Sequence, residues 1–306
     1  MNLTVASSPH IRGDFKTRRI MLDVIIALLP ATVAGCVIFG LRALLVVALT
    51  VASSVGFEAL FKLITKKKQT VGDLSAVVTG LLLALNLPAT IPLWQCVIGA
   101  LFAIVVVKCL FGGLGQNPVN PAITARVFML VAFGSMATAA FPTVVDTVAG
   151  ATPLASEQAT SLTDLLLGLH GGAIGETCAA ALLVGFVYLL VRRVISWHLP
   201  VVFIGTVFFA SLCMESFNYT AALAAVLSGG LLIGAIFMAT DYVTSPATAW
   251  GKVIFGVGAG LITFMIRYFG VYPEGVSFAI LLMNIVTPFI DSWTKHKVFG
   301  KGGKQA

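Results

Sequence analysis

The stretch Asp146–Thr152, DTVAGAT, is followed by Pro153 and Leu154 and sets a hydroxyl, Thr152, on a turn of small residues. Gly150 and Ala151 let a large substrate or enzyme come close to the backbone. Asp146 could hold a metal ion or orient a neighbour. By residue types alone, a Thr before Pro in a polar loop is ordinary. Arg126 is the second candidate. It falls inside an apolar run directly after GGLGQNPVNPA, residues 112–122. A cation at such a position is expensive and faces a partner or a cavity. The residues leave two partners open, a bound ligand or an Asp or Glu of another helix. Asp23, Glu58, Asp73 and Asp241 lie near the ends of apolar runs and read as interfacial. Asp241 sits inside the break ATDYVTSPATA, residues 239–249, and is the best placed of them to meet an ion or a polar ligand.

Other chemistries find no residues. The five cysteines, Cys36, Cys96, Cys109, Cys178 and Cys213, form no CxxC pair and read as small membrane hydrophobes. The four histidines are far apart and lack ligand spacing, so no metal site is expected. No Ser–His–Asp set or phosphate-cradling loop is present. GVGAG, residues 256–260, lies in an apolar run with no strand before it, so it reads as helix-packing glycine, as do Gly230 and Gly234.

These residues must be positioned by elements that fit an unusual composition. Of the 306 residues, 58% are hydrophobic and 10% charged. An average soluble domain carries about 25% charged residues, so the chain cannot cover a water-facing surface. A soluble globular protein, a disordered chain and a nucleic-acid binder are excluded, and a polytopic membrane protein is expected. Ten apolar runs are candidate spans: 20–40, 43–63, 74–90, 93–111, 119–134, 174–191, 199–214, 220–239, 250–269 and 275–291. The first contains Pro30 and is closely followed by the second, which reads as a span rather than a cleaved leader. Several runs are short and broken by proline, and such breaks need shelter inside protein or beside a cavity.

Residues 74–94 can be laid on residues 223–250. Each has an apolar run with a small-residue pair, a proline-containing break and a Trp opening the next run. The matching elements sit five runs apart, so the halves have opposite membrane orientation. That is an inverted repeat, with the site expected where broken segments meet. The expected organisation is one membrane domain, 1–306, with a first half 1–134, an outer loop 135–173 and a second half 174–306. With a cytoplasmic N-terminus, ten spans return the C-terminus to the cytoplasm. Sixteen of the 19 basic residues then lie on that side. The Lys66–Lys68 run reads as a topology determinant that could also meet anionic membrane lipid.

At this point a resemblance becomes specific. DTVAGAT resembles the flavin-attachment motif D-x-x-(S/T)-G-A-(S/T), matched by Asp146, Gly150, Ala151 and Thr152, with Ala149 departing from it. With GGLGQNPVNPA, FMATDYVTSP (237–246) and SSPHIR (7–12), the chain resembles the NqrB/RnfD family from about residue 7 to about residue 291. The family comprises RnfD of the Rnf ion-translocating electron transport complex and NqrB of the sodium-pumping NADH:quinone reductase. The short N-terminus is closer to the former.

The resemblance implies an all-α, urea-transporter-like fold of two inverted five-helix repeats with discontinuous helices. It implies FMN joined through its phosphate to Thr152 by a flavin transferase, and electron relay between ferredoxin and NAD coupled to Na⁺ or H⁺ movement. Other Rnf subunits would be partners, in a bacterial inner membrane with the Thr152 loop outside. Arg126 could then meet flavin phosphate or ring oxygens. A second, non-covalent flavin such as riboflavin is expected near the cytoplasmic breaks Gly112–Ala122 and Ala239–Ala249. The inverted repeat alone would suit a different class, a small-solute channel or secondary transporter.

Overall fold

The computed structural model describes residues 17–137, 161–270 and 275–295, and these are all-helical. The first half builds α1 (Thr17–Phe39), α2 (Leu41–Ile64), α3 (Ser75–Leu85), α4 (Leu93–Leu101) and α5 (Pro121–Ala132). A short α6 (Leu162–Leu167) precedes α7 (Ala179–Val191), α8 (His198–Met214), α9 (Tyr219–Leu227), α10 (Leu231–Ile233), α11 (Ala249–Phe269) and α12 (Val276–Thr294). Each of the ten apolar runs contains a helix. Helices α1, α2, α11 and α12 are long and apolar enough to cross a membrane. A fifth span results if Tyr219–Leu227 and Leu231–Met238, bent by 64° at their break, count as one. The remaining apolar helices are shorter, at 10–17 residues.

The helix ends follow from local chemistry. Asn120 caps α5, its side chain accepting from Ala122 and Ile123 N–H, and Pro121 takes the first helical position, where its missing N–H costs nothing. Asn218 caps α9 and Thr248 caps α11 in the same way. Two helices end in wide π-helical turns, Phe102–Cys109 after α4 and Gly234–Met238 after α10. Such turns re-aim the side chains they carry and gather at functional sites.

The exterior is apolar, and a few charged side chains are buried in an otherwise apolar core. Val37 is 70% exposed and Val191 75%, whereas Glu58 is 1%, Glu176 2% and Arg126 4% exposed. An apolar exterior around buried polar pairs suits lipid outside and charge facing inward. The chain is a multi-pass membrane protein. Helix α8 lies on α11 through glycines. A Cβ on Gly260 would stand 2.6 Å from Thr206 Cβ, so GVGAG is a packing face, as expected.

One boundary differs from the sequence reading. The run expected to begin at 174 turns helical only at Ala179. Residues 174 and 175 instead form a turn that docks against the end of α3. Ile174 N–H donates to Leu87 O at 3.1 Å and Gly175 N–H to Leu85 O at 2.8 Å. The break itself satisfies Leu82, Leu83 and Ala84 O through Asn86 and Leu87, and the 174–175 turn satisfies Leu85 O at the end of α3 and Leu87 O just beyond it. Gly175 is required there, because a Cβ would lie 2.5 Å from Leu85 Cβ.

Candidate functional site

The broken segments line a partly open cavity. Its apolar walls come from Met21, Val24, Val78, Leu82, Leu189 and Phe237, among others, and its polar groups from Ser75, Thr79, Lys108, Asn117, Asn120, Thr240 and Asp241. Both π-helical turns reach it, one through Lys108 and the other through Phe237. A second cavity, lined by Arg193, Ser196, Ser245 and Lys252, shares Val194, Ile195, Thr240 and Tyr242 with the first.

Asparagines pin the two breaks together. Asn120 Nδ2 donates to Met238 O at 3.1 Å, tying the start of α5 to the end of the π turn after α10. With its amide turned so that both ends find partners, Asn284 on α12 accepts from Asn120 N–H and donates to Thr244 O, both at 3.2 Å. The Gly112–Ala122 and Ala239–Ala249 breaks therefore meet in space, as the sequence suggested. Asp241 lies at this meeting point and accepts from Thr244 Oγ1 at 3.2 Å. Burial pushes its carboxyl above the usual carboxylate range, against hydrogen bonds from Thr244, Asn117 and the backbone of Val243 and Tyr242 that pull it down.

Most of the other charges near the ends of apolar runs are held inside the protein. Glu58 is buried and pairs with Lys108, Oε2 to Nζ 3.1 Å. Lys108, counted among the topology-setting cations, is equally buried. Each needs the other because neither reaches water. Asp23 is also buried, accepting from Tyr188 Oη at 3.0 Å and facing Arg192 at 3.3 Å, which ties α1 to α7. Asp73 caps α3, accepting from Ser75 N–H at 2.8 Å.

Arg126 takes the second of its two expected roles. Its Nη2 lies 3.7 Å from Glu176 Oε2, and its Nη1 donates to Asn86 Oδ1. Asn86 closes α3, and Glu176 sits in the segment that docks on that end. The pair therefore joins three broken pieces of chain. Gly230, read as a packing glycine, borders this pair, and a Cβ there would lie 3.0 Å from Arg126 Nη1. Glu176 escaped the sequence reading, although it is the lone acid in the run 174–191, as Lys108 is the lone base in 93–111. A solitary charge in an apolar run was the signal in both cases. Asp146, Gly150, Ala151 and Thr152 lie outside the described residues.

Helices with apolar exteriors, discontinuous segments meeting at a partly polar cavity, and charges paired inside define a membrane-embedded protein of the transport or membrane-redox class. Comparison with known families makes this specific. Residues 4–300 match the model of the NQR2, RnfD, RnfE family, and the chain belongs to that family. It is 49% identical over 310 residues to the D component of the Na⁺-translocating ferredoxin:NAD⁺ oxidoreductase complex of Acetobacterium woodii, covering 98% of this chain and 96% of that protein. Identity to the D component of the proton-translocating ferredoxin:NAD⁺ oxidoreductase complex of Clostridium ljungdahlii is 40% over 320 residues, covering 97% and 96%. Identity to the D component of the ion-translocating oxidoreductase complex of Escherichia coli is 34% over 348 residues, covering 98% and 99%.

Proposed function

We propose that this chain is the flavin-carrying membrane subunit of a redox-driven ion pump, relaying electrons between ferredoxin and NAD with Na⁺ or H⁺ movement. It is one subunit of a translocase and holds no complete active site alone. The observation that carries the flavin assignment is DTVAGAT at 146–152, in a chain that matches its family over residues 4–300. The near end-to-end similarity to components of complexes named as ferredoxin:NAD⁺ oxidoreductases supports the redox assignment and the partnership with other Rnf subunits.

In this reading Thr152 carries FMN as a phosphodiester, made by a flavin transferase, with Asp146, Gly150 and Ala151 forming the attachment motif. Flavin supplies the redox chemistry, and the protein holds it, tunes it and excludes solvent. A second, non-covalent flavin occupies the first cavity, between the two breaks. The fit is supported by its walls, with Phe237, Leu82 and Val78 to flank a flat ring and Asn117 and Thr240 to meet ring oxygens and nitrogens. Arg126, paired with Glu176 and bonded to Asn86, holds the broken helices together.

The topology proposed is ten crossings in two inverted five-helix repeats, in a bacterial cytoplasmic membrane. Both termini are cytoplasmic and the Thr152 loop lies outside. Packing of α1 on α7 and of α5 on α12, first on first and last on last, supports a twofold relation between the halves. Lys66–Lys68 would face anionic lipid at the cytoplasmic surface.

Acid-precipitated protein run on a denaturing gel tests the proposal. Flavin fluorescence on the band, lost in Thr152→Ala, is expected. A dark wild-type band from cells containing the transferase refutes it and favours the channel reading.

A further inference from the structure

A chain of polar groups runs from the cavity wall to the surface. Lys108 Nζ, on the cavity wall, lies 2.6 Å from Ser75 Oγ and 3.1 Å from Glu58 Oε2. Ser75 Oγ lies 2.5 Å from Asp73 Oδ1, and Glu58 Oε1 lies 2.7 Å from Thr70 Oγ1. Glu58 and Lys108 are buried, while Thr70 and Asp73 are half-buried at the surface end, beside the exposed residues 65–69. The bond directions are forced by chemistry, since an ammonium only donates and a carboxylate only accepts. Lys108 donates to Ser75, and Ser75 donates to Asp73. The chain points from the cavity to the surface.

A purely structural tie needs less. Glu58 and Lys108 alone would join α2 to the π turn after α4. Asp73 and the Ser75 backbone N–H alone would cap α3. The Ser75 hydroxyl links these two devices into one connected path, and one end of that path opens on the cavity. Buried ion pairs are also weak evidence of stabilisation, because desolvation offsets their attraction.

We infer that Lys108, Ser75 and Asp73 form a proton path between the cavity and the surface turn, with Glu58 as the positioning residue that holds Lys108. The inference rests on the reading that the cavity takes a redox ring whose charge changes take up and release protons. One passage moves one proton, and only N–H and O–H bonds break and form. Lys108 Nζ passes its proton to Ser75 Oγ as Ser75 passes its own to Asp73 Oδ1. Asp73 releases that proton to water, and Lys108 regains one from the cavity. Rotation of the Ser75 hydroxyl resets the path, and uptake runs through the same atoms in reverse.

The test uses the whole purified complex, with the wild-type chain and with Ser75→Ala or Asp73→Asn. Acid-releasable flavin is counted first. Reduced complex is then mixed with ferricyanide, which accepts electrons without protons, and proton release is followed with a pH-indicator dye. Ser75→Ala at wild-type flavin content is expected to slow the release about 100-fold, the low end of what a positioned acid or base contributes. A small permeant weak acid should restore the rate, which a merely structural role would not allow. Unchanged release in both variants at full flavin content overturns the path and leaves the flavin reading standing. No acid-releasable flavin assignable to this chain removes the cavity reading, and the path with it.

Discussion

Arg126 of α5 and Glu176, in the turn before α7, form an ion pair at 3.7 Å with both side chains nearly free of solvent. Asn86 shares Arg126 from the end of α3. The pair couples the two halves of the chain at the point where regular helix gives way. Removing one partner leaves a buried charge uncompensated, which costs about 3–5 kcal/mol. Arg126→Leu should therefore lower the melting temperature of the detergent-purified protein strongly. Arg126→Leu with Glu176→Leu should recover a large part of the loss. A double variant as unstable as the single would show that the pair is not the unit.

Gly175 predicts a steric counterpart at the same junction. Its pro-Cβ position is 2.5 Å from Leu85 Cβ, within the plug that satisfies Leu85 O. Gly175→Val should destabilise by about 1–3 kcal/mol, as overpacking does. Gly56, where a Cβ meets nothing within 4 Å, is the control site, and Gly56→Ala should be close to neutral in the same melting assay.

Asp241 predicts a pH dependence. Burial raises its carboxyl above the ordinary value of 3.8, so the folded protein prefers the protonated acid. The raised value means that its contribution is fully present below about pH 3.8 and is lost as pH rises through the folded value. Asp241→Asn should therefore melt above wild type at pH 8, with the difference shrinking toward pH 4. A difference that is constant across this range would contradict the assignment.

Covalent flavin predicts a mass. The intact mass of wild type from cells containing the transferase should exceed that of Thr152→Ala by one FMN phosphodiester, with both inserted in the membrane. Thr152→Ser should keep part of the adduct, since the linkage needs only a hydroxyl. An unmodified wild-type mass would sink the assignment.

Much was legible without the fold. Scarce charge in long apolar runs determines a multi-pass helical protein, because unpaired backbone and charge are too costly in hydrocarbon. Prolines and asparagines at 86–92, 117–121 and 246 mark where helices stop, since proline lacks the donor a helix needs and asparagine caps. The motif at 146–152 and the family likeness are also properties of the residue order. Tertiary structure decided which charges meet. Nothing local links Glu58 to Lys108, Asp23 to Arg192 or Arg126 to Glu176; each pair is far apart along the chain and is set by how helices pack. It also decided that residues 174 and 175 close the end of α3 instead of starting a helix. An Ile-Gly pair is compatible with either, and only the docking of their N–H groups on Leu87 O and Leu85 O favours the turn.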